Sequence, residues 1–476
     1  AVFEGRKQKH DLQYRALNRY NEYVWVECKG SVVRGANGKN LFAGMMTRMD
    51  NQSVYDTLTG LKTKNQFYNT IQQKEDGIAF LIGTDFFKDI INIYGYNNGD
   101  KVLIQVGRAF LKCCDRNTSV FRFNGDEFVF IIPNGTQEDV AALFARIRQQ
   151  AGEICLDNNI RIRMSFSGGA AYYSHESCNT DRVVNQMELA LSYVKKSQKG
   201  SYAFYSDEVL AQDNRRRLIK LDRKESIDNG FKGFEPYYQP LMQREGSKII
   251  GCEALLRWKG TEITDSTPAE FIPILEEDNA IIEVGSFVMQ EAMKQQKIWS
   301  EKYGSFIMSI NVSYQQFLSD GYVQEIVDTA KRFRIDPRYI MIELTESCRV
   351  QSPAVLANIF TELRIHGFHI VLDDFGTGYA SLEMLKKLPC DGIKIEHSFV
   401  RELSQEGHDI DFAIIRSILL LCNETKQTVI VEGVENAEVD SIVRHLSVNL
   451  LQGYYYSKPV CAKEFEKIIE QKGNRD

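Results

Sequence analysis

From Phe234 onward the chain repeats one pattern: a short apolar run ends in a polar or charged residue, a segment with helical spacing follows, and another apolar run begins. The runs are PYYQPL, IIGCEALLRW, FIMSINVS, YIMIELTES, FHIVLDDFGTG, GIKIEHS, TVIVEGVEN and LLQGYYYSKP. Eight strands of this kind alternating with helices predict a (β/α)8-type barrel. In that fold the C-terminal strand ends converge on one face and bring distant residues together. Between Asp56 and Tyr205, strand candidates IAFLIGTDF, SVFRFNGDEFVFII and IRIRMSFSGGAAYY alternate with helical patterns such as KVLIQVGRAFLKCC, which predicts a separate α/β domain. The charged stretch DNRRRLIKLDRKESIDNG carries Leu218, Ile219, Leu221 and Ile227 at helical spacing and predicts a connector helix. At the start, YVWVECKGSVVRG and LFAGMMTRMD flank a Gly-Asn-Gly-Lys-Asn turn, a hairpin too short to form a stable sheet alone. The expected divisions are residues 1–50, 51–206, 207–232 and 233–476.

Composition narrows the classes. The chain has 476 residues, 43% of them hydrophobic and 26% charged, enough for two or three independent cores. A formal charge of −6 offers no general attraction to a DNA or RNA backbone, so a phosphate ligand has to be gripped locally by a site. Ten cysteines lie scattered without CxxC pairs, which favours neither zinc nor a disulfide framework and fits reduced, cytoplasmic thiols. No apolar run approaches the roughly 20 residues of a membrane-spanning helix, and the first residues lack the features of a signal peptide. The chain opens as if cut from mid-domain, so the expectation is a cytoplasmic piece of a longer parent, one that could itself be membrane-anchored.

The strand ends carry the candidate chemistry. Gln239, Glu253, Asn311, Glu343, Asp373, Asp374, Lys394, Glu432 and Gln452 each close an apolar run. A barrel mouth so rich in carboxylates repels itself unless a ligand uses the charge. An Asp/Glu/Asn shell without His or Cys suits Mg²⁺ or Mn²⁺. The adjacent Asp373 and Asp374 could supply a bridging and a terminal ligand for a metal pair, an arrangement that activates water for attack on a phosphodiester.

These runs carry a resemblance. EALLRW, SINVS, IELTES, DDFGTGYASL, IKIEHSFV, VEGVEN and QGYYYSKP, seven motifs in order over roughly residues 230–472, resemble the EAL-type cyclic di-GMP phosphodiesterases. The resemblance implies that Glu253, Asn311, Glu343 and Asp373 ligate one metal, and that Asp373, Asp374 and Glu396 serve a second. It also implies that Lys394 and Glu432 orient or deprotonate the attacking water, and that Gln239, Arg257 and Gln452 hold the ligand. Glu346 would tether the loop containing Gly376 and Gly378, making loop order a switch. Two departures stand out: Glu396 replaces the family's usual Asp and is one methylene longer, and Ala380 replaces a common loop serine. The implied reaction opens cyclic di-GMP to linear pGpG, and the rival expectation is a receptor that binds without turnover. Barrels of this kind often pair through the region after the glycine loop, and Leu382 to Leu388 is apolar enough to permit a homodimer.

The middle segment resembles the GGDEF diguanylate cyclase domain through DTLTGLKTKNQF, DFFKDIINIYGYNNGDKVL and FRFNGDEFVF. Its hairpin reads as an Asn-Gly type I′ turn, with Asn124 at the family's first glycine tolerating positive φ. The resemblance marks losses. Gly83 stands where a carboxylate should help Asp126 bind Mg²⁺, beside Glu127. Ile91 stands where an asparagine should read guanine. Asp115 and Thr118 occupy the two positions of the inhibitory RxxD motif. Asp100 remains, so GTP could still bind as a regulator, while cyclase activity is not expected. The opening hairpin resembles the last strands of a PAS sensor domain.

Overall fold

The computed structural model describes residues 10–17, 23–34, 40–49, 54–73, 75–156, 160–175, 179–245, 248–345, 352–376, 381–401, 403 and 409–473. The chain divides into two compact units, residues 1–215 and 216–476.

The first unit begins with an antiparallel meander of β1 (His10–Leu17), β2 (Tyr23–Arg34) and β3 (Asn40–Met49). The predicted hairpin is β2 and β3, and β1 adds a third strand. A six-stranded sheet follows, built from β4 (Lys62–Thr63), β5 (Gly77–Thr84), β6 (Ser119–Asn124), β7 (Glu127–Pro133), β10 (Phe166–Tyr173) and β11 (Tyr202–Phe204), in the order β11-β10-β5-β7-β6-β4. A small ribbon of β8 (Glu153–Leu156) and β9 (Ile160–Arg163) lies apart from it. All eight residues of β5 are buried, as its unbroken run GIAFLIGT requires of a central strand covered on both faces. One face carries Phe80, Ile82, Val106, Phe110 and Phe128, and the other Leu81, Phe121, Val129 and Met187.

The hairpin between β6 and β7 survives without the expected turn. Asn124 pairs with Glu127, so the two turn residues are Gly125 and Asp126, one position further on. Gly125 has φ +46°, whereas Asn124 keeps an ordinary strand conformation. A register shift between Arg122 and Asn124 absorbs the displaced residue, and the Arg122 guanidinium donates to Gly125 O at 3.0 and 3.2 Å.

The second unit is a closed barrel of eight strands: β12 (Phe234–Gln243), β13 (Ile249–Trp258), β14 (Ile307–Asn311), β15 (Ile340–Thr345), β16 (His369–Phe375), β17 (Gly392–Ile395), β18 (Thr428–Val431) and β19 (Leu450–Leu451). Every predicted strand is present, but the barrel is not uniformly parallel. β12 runs antiparallel to both β13 and β19, and a hairpin rather than a helix joins it to β13. Gln239 therefore does not close its strand as expected. It sits mid-strand, in register with Glu253.

Each strand places one residue in an interior layer and another, two positions away, nearer the mouth, as the period of two requires. Leu241, Met341, Val371, Ile430 and Leu450 form an apolar plug, with Ile307 packed against it. Two residues along lie Glu343, Asp373, Glu432, Gln452 and Ser309, while Gly251 precedes Glu253 and Gly392 precedes Lys394 by the same step. In the reversed β12 the step runs backwards, from Leu241 to Gln239. The outer faces bind the helix ring through Trp299, Phe306, Phe360 and Val439. Among the described residues no helix is long and apolar enough to cross a membrane.

Candidate active site

The polar layer converges on one ammonium. Lys394 Nζ, fully buried, lies 2.6 Å from Glu432 Oε1, 2.8 Å from Glu343 Oε2, 3.1 Å from Glu253 Oε2 and 3.4 Å from Asp373 Oδ1. Around it the acids are held in place. Asn311 Nδ2 donates to Glu253 Oε1 and Ser309 Oγ to Glu343 Oε1. Gln452 Nε2 donates to Glu253 Oε2 at 2.6 Å and to Gln239 Oε1 at 3.0 Å. Gln239 Nε2 in turn reaches Ser457 O at 3.2 Å. Gln452 Oε1 is buried and accepts nothing among the described residues.

One ammonium cannot neutralise this many buried carboxylates, and their proton affinities record the excess. Burial pushes Glu343 well above the ordinary carboxylate range and raises Asp373, more than Lys394 lowers either, with Glu253 adding like-charge repulsion. Burial also lifts Glu432 to about 7, and burial together with Asp373 lifts Asp374 to about 6. Glu253 is the exception. Burial would raise it, but Lys394 and the donors Gln452 and Asn311 outweigh that and hold it below its usual value. Surrounding acids hold Lys394 protonated despite its burial.

Among the described residues, two triads of carboxylate oxygens lie close enough to share a cation: Glu253, Glu343 and Asp373, and Asp373, Asp374 and Glu432, each within 4.8 Å of one another. Asp373 belongs to both. All donors are oxygens and the site has surplus negative charge, so the residues fit hard divalent cations such as Mg²⁺ or Mn²⁺. Asp374 takes a left-handed backbone, φ +55°, and its N–H donates to Asp373 Oδ1 at 2.9 Å, which turns consecutive residues toward one place.

Other expected residues lie differently. Glu396 is in neither triad. It caps the short 3-10 helix His397–Phe399, accepting from Ser398 N at 2.8 Å and from the Ser398 hydroxyl, and it pairs with His397. Conversely, Glu432, expected to handle water, also offers a metal ligand. Arg257 is half-buried on β13, two pleats beyond Glu253 on the same face, with its guanidinium 5.9 Å from the Tyr237 ring. Gly376 has φ +112°, and a Cβ there would meet the Phe399 ring at 2.6 Å, so this end of the loop admits only glycine. Glu346, Gly378 and Ala380 lie outside the described residues. Ser309, not singled out from sequence, stands two residues before Asn311, a spacing that already placed it on the interior face.

In the first unit, Asp126 closes the hairpin turn and Glu127 opens β7, and burial raises the proton affinity of both against the pull of Lys195. Lys195 Nζ lies 4.0 Å from Glu127 Oε1, and a Cβ at Gly83 would fall 2.6 Å from that same nitrogen. The place of the missing carboxylate thus holds an ammonium. Ile91, on the helix Phe87–Tyr94, packs on Gly99 of the next helix, where Asp100 is exposed.

Comparisons with known proteins agree with this geometry. Residues 223–459 match the EAL domain family, and residues 53–201 match the family described as diguanylate cyclase, GGDEF domain. The chain is 26% identical over 420 residues to the bifunctional diguanylate cyclase/cyclic di-GMP phosphodiesterase MucR of Pseudomonas aeruginosa, covering 88% of this chain and 60% of MucR. It is 25% identical over 489 residues to the cyclic di-GMP phosphodiesterase PdeR of Escherichia coli, covering 97% of this chain and 73% of PdeR. The chain thus spans a little over half the length of several curated relatives, 53% in the case of YkoW of Bacillus subtilis. Among solved structures, the EAL enzyme Bd1971 with cAMP and cyclic-di-GMP bound aligns with TM-score 0.50 and 26% identity over 65% of this chain and 82% of that one. The S helix-GGDEF-EAL portion of Vibrio cholerae LapD aligns with TM-score 0.57 over 84% of this chain and 95% of that one, and its 18% identity speaks to the fold alone. With both family matches in sequence order and the eight-stranded barrel carrying its acidic mouth, the chain belongs to the proteins of cyclic di-GMP signalling that carry a GGDEF and an EAL domain in tandem.

Proposed function

We propose that the EAL barrel hydrolyses one phosphodiester of cyclic di-GMP to linear pGpG, and that the GGDEF domain makes no cyclic di-GMP and serves as a regulator. The observation that carries the reading is the pair of carboxylate triads sharing Asp373 around buried Lys394. Glu253, Glu343 and Asp373, with Asn311 beside them, would hold one Mg²⁺ or Mn²⁺, and Asp373, Asp374 and Glu432 a second. Metal ions held there would supply electrophilic activation of water and of the phosphate oxygens. Lys394, itself fully buried, brings a fixed positive charge to the place where negative charge grows on the phosphorus oxygens. Glu432 is read as orienting or deprotonating the attacking water through the carboxylate oxygen that it does not give to a cation, the proton ending on the departing ribose oxygen. Arg257 forks onto a phosphate oxygen, and Gln239 and Gln452 order the floor beside Glu253.

The GGDEF reading rests on Gly83, on Lys195 standing beside it, and on Ile91 in place of a polar reader; GTP could still bind there as a regulatory ligand. The meander of residues 10–49 is read as the end of a PAS sensor domain, and a homodimer through the barrel is proposed as the working form. One observation favours the receptor reading: Glu396 is committed to its own 3-10 helix and offers no ligand to the second triad. Incubating the protein with cyclic di-GMP and Mn²⁺ and separating the products decides between them. The phosphodiesterase reading expects pGpG that disappears in Glu253→Ala, and the receptor reading expects bound, unaltered cyclic di-GMP in both proteins.

A further inference from the structure

The helix Asp207–Asp228 is rich in charge along its length, yet three of its polar residues are buried: Asp222, Arg223 and Ser226 are only 4 to 5% exposed. Such residues stay charged or polar in a buried place only when specific partners satisfy them. Asp222 and Ser226 find their partners at the end of β13 and in the turn after it, and Arg223 finds its own after the next helix. One Asp222 oxygen accepts from Thr261 N at 2.8 Å, and the other from Glu262 N at 2.8 Å and Ile263 N at 2.7 Å. Gly260 is required there, because a Cβ would meet that carboxylate at 2.1 Å. Ser226 Oγ accepts from Trp258 Nε1 at 3.0 Å, and Arg223 pairs with Asp278.

β13 explains why such a grip matters. Its barrel pairing with β14 runs only from Gly251 to Ala254. From Leu255 to Trp258 the ladder among the described residues continues on one edge alone, from Leu255 opposite Tyr237 to Trp258 opposite Phe234 in β12. Arg257 stands on this half-supported stretch, while Glu253 stands on the fully paired part. The position of Arg257 relative to Glu253 therefore depends on what fixes the strand beyond it, namely Trp258 and the turn Gly260–Ile263.

We infer that Asp222, seconded by Ser226, is a positioning residue for the ligand site: it locks the turn after β13 and so holds Arg257 at the distance from the acidic cluster that a cyclic dinucleotide phosphate requires. The inference rests on the phosphodiesterase reading above. Displacing a phosphate-binding fork weakens capture of the ligand while leaving Lys394, Glu432 and the carboxylates in place, so the loss falls on KM rather than on kcat.

The test compares Asp222→Asn, Ser226→Ala and, as control, Glu277→Ala, which frees Arg216 and Lys220 on the same helix without touching the turn. Asn at 222 presents an amide N–H₂ to backbone N–H groups that need an acceptor. The expected result for Asp222→Asn is a rise in KM for cyclic di-GMP of roughly tenfold with kcat within about twofold, a smaller rise for Ser226→Ala, and no change for Glu277→Ala. Amide hydrogen exchange supplies a readout independent of turnover: in Asp222→Asn exchange should quicken at 261–263 and at 255–258, with 251–254 unchanged. Quickened exchange at 261–263 with KM unaltered, equal losses of kcat in all three variants, or unaltered exchange at 255–258 would overturn the inference. If the unmodified protein neither binds nor hydrolyses cyclic di-GMP, the phosphodiesterase reading fails, and exchange at 255–258 still decides whether Asp222 holds the Arg257 strand.

Discussion

Lys394 Nζ lies 2.8 Å from Glu343 Oε2, although the two residues belong to strands β17 and β15 with β16 between them. The same ammonium reaches Glu253 on β13, four strands from β17, a meeting that the closed wall of the barrel makes possible. The contact ties the charge of the site to the fold, because Lys394 is the ammonium that Glu343 shares with Glu253, Asp373 and Glu432.

Replacing that ammonium separates the catalytic role proposed for it from its structural one. Lys394→Met should lower kcat by roughly 10²–10³, the usual loss when a fixed charge or donor facing the transition state is removed. It should also make the barrel more dependent on divalent cation, since the carboxylates then lack their one internal counter-charge. Thermal unfolding with Mn²⁺ and with a chelator checks this. The difference between the two midpoints should be larger in the variant than in the unmodified protein.

The loop end at Gly376 allows a narrower prediction. Gly376→Ala meets both an unfavourable positive φ and the Phe399 ring, a cost of about 1–3 kcal/mol if the backbone stays in place. The expected outcome is a lower melting temperature together with a loss of hydrolysis, because the loop follows directly on Asp373 and Asp374. A variant with unchanged melting temperature and activity would show that the loop end shifts freely.

Asp56 gives a pH dependence in the first unit. Burial alone would raise its proton affinity, but hydrogen bonds from Arg122 and Thr59 outweigh it and hold the carboxyl below its ordinary value of 3.8. A lowered folded-state pKa means that the ionised form is the one the fold favours. Its stabilisation is therefore complete above about pH 4 and is lost as pH falls through the lower folded-state value. Because the pair is partly exposed, the contribution is about 1 kcal/mol after screening. Asp56→Asn should be less stable than the unmodified protein at pH 7, and the gap should close in acid, as followed by denaturant unfolding across pH 2–7.

At the cyclase-like site, Gly83→Asp would set a carboxylate against Lys195, whose flexible end can move aside. The variant should fold, because the contact is with a side-chain terminus rather than backbone. It should produce no cyclic di-GMP from GTP, since Ile91 still offers no polar edge for guanine. Product from the unmodified protein would contradict the reading of this domain; product from the variant alone would show that Gly83 was the only lesion.

Much of this was legible in the chain. The eight apolar runs are the eight strands, and the two-residue step within each places Glu343, Asp373, Glu432 and Gln452 above the apolar plug, because alternation survives whatever the strands pair with. Strand direction was less visible, although the five residues between Gln243 and Ile249 are too few for a helical crossover and do favour a hairpin. The turn at Gly125–Asp126 could not be read from Asn-Gly alone, because the bulge behind it shifts the register. Glu396 depended on a local competition: Ser398 and His397 claim its carboxylate through the cap of a short helix, an outcome set by distances rather than by residue type. The burial of Asp222 within a charged helix was invisible for the same reason, since its partners are backbone amides of a distant turn.

The central claim is that the barrel cuts cyclic di-GMP with water. Running the reaction with Mn²⁺ in ¹⁸O-enriched water and weighing the product by mass spectrometry tests it most directly. The account predicts linear pGpG carrying one ¹⁸O on its terminal phosphate, formed by the unmodified protein and absent with Glu253→Ala. Cyclic di-GMP recovered intact and unlabelled after saturating, prolonged incubation would contradict it.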